Sequence, residues 1–267
     1  MFKTRLLSGI VLVVLALFFI ISGKDVLLVP TLIISLIGLF EFYRALNLHK
    51  TPLSYVGYAI TLAYYADLRF PYLPSHTMLW ILFMILLLFL FVFSYPKYEI
   101  KQIAEAFFGV FYVALMLSYI YLTREYTMGR YLVWLIFLCS WGCDTCAYCV
   151  GRLLGKHKMA PVLSPKKSIE GAVGGVVGAF LLTMIYCMVF QSQMNLSLPK
   201  IVILSGIAAI GGLISMVGDL AASAIKRNVD LKDYGHLIPG HGGILDRFDS
   251  VIITAPIIYY LITFAVR

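Results

Sequence analysis

Residues 201–218 read IVILSGIAAIGGLISMVG, with Lys200 before them and Asp219 after. Eighteen consecutive residues without a charge, each rising about 1.5 Å, make a helix of roughly 27 Å, close to the ~30 Å hydrocarbon thickness of a bilayer. The stretch therefore reads as a membrane span with a carboxylate at its end. The whole chain agrees with that reading. Of 267 residues, 61% are hydrophobic and 13% charged, whereas ordinary soluble domains are about half apolar and a quarter charged. A soluble domain is excluded.

Working outward, apolar runs broken by charge, proline or glycine place spans near Val14, Leu36, Ile60, Leu86, Leu115, Leu138, Leu181, Ala209 and Tyr259. The expected fold is an all-α, polytopic transmembrane helix bundle of about nine spans in a single membrane domain, 1–267. The third span is the weakest, being short, rich in tyrosine and closed by Asp67 and Arg69. The basic start Met1–Arg5 and the apolar run Leu6–Ser22 resemble a secretory signal. The run is too long for one and lacks a small-x-small cleavage site, so it is read as a retained first span.

Lysine and arginine bias sets the orientation. With the N-terminus cytoplasmic, Lys24, Arg69, Arg124, Arg130, Lys200 and Arg267 fall outside, and the other 15 of the 21 basic residues fall inside. The +8 net charge is thereby explained by topology and by attraction to anionic headgroups. No nucleic-acid partner is expected.

The charge is concentrated in two loops, after the sixth and eighth spans. Beyond Asp219, a continuing helix places Ser223, Lys226 and Arg227 on nearly the same face as that aspartate, at offsets of four, seven and eight. Asp230, Lys232 and Asp233 follow, then Gly235, Pro239, Gly240, His241, Gly242 and Gly243, and then Asp246, Arg247 and Asp249 at the mouth of the last span. Asp246 and Asp249 sit three apart, so on a helix both carboxylates can share a hard cation such as Mg2+, with Asp219 completing the oxygen set. Lys226, Arg227 and Arg247 can neutralise phosphate oxygens. Gly242 and Gly243 let backbone N–H groups approach a phosphate closely. Each residue alone could be a solvated loop charge. Their convergence in one short segment favours a site for phosphoryl chemistry.

The run from Ser223 through Lys226, Arg227, Lys232, Asp233, Gly235, Ile238, Pro239, His241, Gly242, Gly243, Asp246 and Arg247 to Asp249 resembles the signature of the phosphatidate cytidylyltransferase (CDP-diglyceride synthase) family. The sixth-span loop carries a second, looser likeness to the same family. There Asp144 lies deep in an apolar helix, a costly position that marks function. Thr145, Ala147, Tyr148, Gly151, Arg152, Gly155 and Lys156 follow, then Pro161 and the stretch Ser164, Pro165, Lys166, Lys167, Ser168, Glu170, Gly171. Ser164–Lys167 reads as a proline-braced turn presenting two ammonium groups at a helix start. Among the N-terminal spans, Glu41 and Arg44, at the cytoplasmic end of the second, add to the likeness.

The resemblance implies an enzyme that joins CTP to phosphatidate, releasing pyrophosphate and leaving CDP-diacylglycerol, at the cytoplasmic face of the plasma membrane. It implies N-terminal spans over 1–130 and catalytic spans with cytoplasmic loops over 131–267. Asp219, Asp246 and Asp249 would hold Mg2+. Lys226, Arg227, His241 and Arg247 would act in catalysis, and Asp144, Lys166, Lys167, Ser223, Gly242 and Gly243 in substrate binding. A homodimer is expected. Two rival readings are an enzyme using CTP on another lipid phosphate, and an anion transporter, for which no internal repeat or broken helix pair speaks.

Cys139, Cys143, Cys146 and Cys149 have a metal-like spacing. They lie on one apolar helix, which cannot supply a tetrahedral cage, so they are read as small packing residues, and with Cys187 in another span no disulfide framework follows. Gly171, Gly174, Gly175 and Gly178 form either a dimer seam or an internal packing face. His157 and His236 are read as solvated loop residues.

Overall fold

The structure, a computed structural model, describes residues 2–238 and 242–265. Its helices are α1 (Phe2–Ser22), α2 (Lys24–Ala45), α3 (Pro52–Arg69), α4 (Thr77–Phe93), α5 (Ile100–Glu125), α6 (Gly129–Leu154), α7 (Ile169–Val189), α8 (Leu198–Asn228) and α9 (Leu245–Ala265). Between α6 and α7 a hairpin pairs β1 (Lys158–Ala160) antiparallel to β2 (Ser164–Ser168). Each span centre expected from the sequence falls within one of these helices. Among the described residues six, α2 and α5 to α9, are long and apolar enough to cross a membrane, while Val11–Ser22 of α1 and α4 are shorter apolar helices. The protein is a polytopic, all-α transmembrane bundle carrying one small hairpin.

The chain divides into two compact units, Met1–Ser118 with Asp233–Arg247, and Tyr119–Lys232 with Phe248–Arg267. In the first, α3 is less apolar than the other long helices because its faces carry tyrosines and hydroxyls, and several of those groups find partners inside the protein. Tyr64 Oη and Ser118 Oγ are 2.9 Å apart and Tyr65 Oη and Ser35 Oγ 2.7 Å, while on neighbouring α2 Tyr43 Oη donates to the Ala106 carbonyl at 2.7 Å. Satisfying polar groups internally is what a bilayer demands of any buried backbone or side chain. Gly109 makes room for this core, since a Cβ there would lie 2.7 Å from the Tyr43 ring. Asp67, read from the sequence as the end of the third span, is fully buried. It accepts hydrogen bonds from the Tyr72 and Leu73 amides, each at 3.0 Å, and lies 2.6 Å from His76 Nδ1, folding the loop into α4.

In the second unit, α6, α7 and α8 pack at glycine distance. A Cβ on Gly174 would lie 2.5 Å from Val150, one on Gly175 2.9 Å from Cys143 Sγ, and one on Gly211 2.9 Å from Cys139 Sγ. The glycine stripe of α7 is therefore an internal packing face against α6. The cysteines are its small counterparts, as small residues are wherever membrane helices approach closely. No described cysteine is in a disulfide.

Candidate active site

In the first unit, the segment leading into α9 is built around two carboxylates. Asp246, 7% exposed, accepts at Oδ2 from the Gly243 amide at 3.0 Å and the Tyr234 amide at 2.8 Å. The bond to Gly243 has the reach-back geometry of a capping box. Gly242 has φ +86°, and a Cβ there would lie 3.0 Å from Asp246 Oδ2, so the turn requires glycine on both counts. Its carbonyl accepts from Ile238 N at 2.9 Å, closing the loop. From α2, Glu41 accepts at Oε1 from the Ile244 amide, 3.1 Å, and at Oε2 from the Leu245 amide, 2.9 Å. The nearby guanidinium of Arg44 donates to the Tyr234 carbonyl at 2.6 Å. Arg247 is exposed, and His241 lies outside the described residues.

In the second unit, three helices and the hairpin bring charged groups together. Gly218 lets α8 approach α9 closely: a Cβ there would be 3.1 Å from the Asp249 carbonyl and 3.2 Å from Ile253. That contact places Asp219 and Asp249 beside each other. Asp249 is close enough to Asp219, Lys226 and Asp144 for their charges to interact. From α6, Asp144 accepts a hydrogen bond from Ser250 Oγ at 3.3 Å. Lys167 forms an ion pair with Asp219. Its Nζ is enclosed, and the pair has no well-angled hydrogen bond. Lys167 reaches inward because Ser164–Lys167 forms the strand β2 rather than the expected turn. Along β2 Pro165 and Lys166 are exposed, whereas Lys167 is half-buried and paired with Asp219, so Lys166 faces solvent and Lys167 the cluster.

The hairpin is fixed at its base by Glu170, which accepts from the amides of Lys156, 3.1 Å, and His157, 3.2 Å, and lies 2.6 Å from His157 Nδ1. Ser168 then caps α7 by accepting from Gly171 N at 3.1 Å. On α8, Asp219, Ser223 and Lys226 are half-buried, and Arg227 turns outward to donate to the Leu231 carbonyl at 3.1 Å. The sequence-predicted set is thus placed in two groups. Asp144, Lys167, Asp219, Ser223, Lys226 and Asp249 belong to the second unit, and Gly242, Gly243 and Asp246 to the first. Ser250 was missed, because a serine carries no signal by itself and its partner lies 106 positions away.

The donors around Asp219 are carboxylate and hydroxyl oxygens, the chemistry a hard cation selects. Among the described residues no three histidine, cysteine or acidic side chains are gathered tightly enough to hold a metal by themselves.

A polytopic bundle of apolar helices, with aspartates and lysines clustered inside one of its units, defines an integral membrane protein with a charged site. The chain matches the cytidylyltransferase family over residues 3–265, and it belongs to that family. It is similar to the phosphatidate cytidylyltransferase of Bacillus subtilis, 31% identical over 268 residues that cover 97% of each chain. That of Staphylococcus aureus strain COL is 33% identical over 274 residues, covering 97% of this chain and 98% of the relative. A match to the Staphylococcus haemolyticus protein of the same name is 38% identical over 171 residues, 64% of this chain and 63% of that protein.

Proposed function

We propose that this chain transfers the cytidylyl group of CTP to phosphatidate, giving CDP-diacylglycerol and pyrophosphate, at the cytoplasmic face of the plasma membrane. The observation that carries the reading is the cluster of Asp144, Asp219, Asp249, Lys167 and Lys226, on three helices and a strand of one unit. Family membership and the similar relatives supply the substrates.

A phosphatidate oxygen attacks the α-phosphorus of CTP; the new P–O bond forms as the bond to the β-phosphate oxygen breaks, and pyrophosphate leaves with that electron pair. A phosphomonoester has a second pKa of about 6, so the nucleophile is ionised at neutral pH and no strong general base is required. What the protein must do is hold two polyanions together and offset their charge. Lys167, Lys226, Arg227 and Arg247 supply positive charge, and Ser223 and the Gly242 amide offer hydrogen bonds to phosphate, while the Gly243 amide, expected from the sequence to do the same, is taken by Asp246. Lys166, on the solvent side of β2, meets the incoming nucleotide. Asp219 and Asp249 would hold Mg2+, which when bound offsets charge on the phosphate oxygens, and Asp246 is proposed as a Mg2+ ligand from its own unit. Asp144, held by Ser250, orients this set, and His241 adjoins it in sequence. A homodimer belongs to the same reading, with its seam elsewhere than the glycine stripe of α7.

The test is incubation of the purified protein with labelled CTP, phosphatidate and magnesium. Labelled lipid is expected, abolished by EDTA and restored by excess magnesium. A purified, folded protein that forms no labelled lipid from phosphatidate or any other lipid phosphate would sink the reading. Product from another lipid phosphate alone would move it to that substrate.

A further inference from the structure

The first turn of α9 is held from a distance of some two hundred residues by a side chain with no assigned role. Glu41 is 3% exposed, and each of its oxygens accepts one backbone amide, from Ile244 and from Leu245. These are among the orphan N–H groups of a helix start, and a carboxylate there is also favoured by the helix dipole. The surroundings are cut to fit it. A Cβ on Gly243 would lie 2.5 Å from Glu41 Oε1, and one on Gly235 would collide with the same oxygen. Arg44, one helical turn on from Glu41, holds the Tyr234 carbonyl, and the Tyr234 amide donates to Asp246. The end of α2 therefore grips both the loop and the helix start that set the orientation of the Asp246 carboxylate.

We infer that Glu41 is a positioning residue for the transfer reaction: it fixes the first turn of α9, and through it the direction in which Asp246 presents its carboxylate. The inference rests on the function proposed above for Asp246. Glu41 itself touches backbone amides, not substrate. Two features separate it from a general stabilising contact. Its grip is confined to residues 235–245, and it requires glycine at both 235 and 243.

The experiment compares Glu41→Gln and Gly235→Ala with the unaltered protein by hydrogen exchange of peptides covering 242–250, and by kinetics as a function of magnesium and CTP. Glu41→Gln keeps the side-chain shape but turns an NH2 toward one amide. It should speed exchange in this segment and raise the magnesium concentration for half-maximal rate about 5- to 10-fold, because displacing a catalytic group by a fraction of an ångström is costly. Gly235→Ala should produce the same two changes, and should add less in a Glu41→Ala background, where the clash with the carboxylate is gone and only the close approach to the Gly243 Cα, 3.1 Å, remains. Unchanged exchange in Glu41→Gln overturns the inference. So does a fall in kcat alone, with the magnesium and CTP dependence unaltered, since that marks a loss of folded enzyme. If the unaltered protein makes no CDP-lipid, the proposed function fails on its own account, and the exchange data still decide whether Glu41 holds the helix start.

Discussion

Asp246 and Asp219 look alike in sequence, each an aspartate at the end of an apolar helix, yet the two regions that hold them are built differently. Around Asp246 the partners are backbone amides from Tyr234 and Gly243, with a second carboxylate, Glu41, doing the same for the next two amides. Around Asp219 the partners are side chains: the Lys167 ammonium in contact, with Asp249, Lys226 and Asp144 near Asp249. Amides bound to a carboxylate fix its direction and cannot leave without unfolding the turn. An ammonium paired to a carboxylate can exchange partners when a phosphate or a cation arrives. One region is therefore a mount, and the other is the place where charge can be traded.

The comparison can be broken most directly at Asp219. Asp219→Asn should lower kcat for CDP-lipid formation about 10²- to 10³-fold, the range seen when one preorganised electrostatic group is removed. Hydrogen exchange at 234–247 should not change; if it does, the two regions are not distinct in the way described. Asp246→Asn should lower kcat about 10²-fold and also speed exchange of the Tyr234 and Gly243 amides. Full activity in that variant would remove Asp246 from the reaction. A smaller effect is expected of Lys167→Met, roughly tenfold in kcat with a raised KM for CTP; retention of normal CTP affinity would show that the lysine serves only to neutralise Asp219. Smallest of all, Asp25→Asn breaks the Arg69–Asp25 pair, whose side chains are 43% and 56% exposed. Exposed pairs contribute about 0–1 kcal/mol, so thermal midpoint and activity should both stay close to those of the unaltered protein, and a large loss would mean that this loop is coupled to the site.

The fold class was legible because charge-free runs as long as 201–218 have few alternatives to a membrane helix. The members of the Asp219 cluster were legible for a related reason: an ionisable residue among apolar ones stands out. Glu41 stood out equally as a charge at a helix end. Its task did not, because its partners are backbone amides 203 and 204 positions away, and backbone amides leave no trace in composition or spacing. The same holds for Asp67, which looked like a terminus marker and organises a loop. The strand β2 was hidden by its own sequence, since Ser-Pro-Lys-Lys favours a turn locally, and only pairing with β1 and the Glu170 brace make it extended. The glycines of α7 were recognisable as a packing face, but the partner was fixed only by tertiary structure, in the cysteine and valine side chains of α6.

One further property follows from α8 being a single unbroken helix of 31 residues. Asp219, Ser223 and Lys226 keep a common bearing only because the rod beneath them is in phase, with each residue turning the axis by about 100°. Changing a side chain alters one rung, whereas inserting or deleting a single residue between Gly218 and Lys226 would swing every rung beyond it toward the lipid or the neighbouring helix. The segment should accordingly tolerate substitutions at its outward positions and reject any change of length.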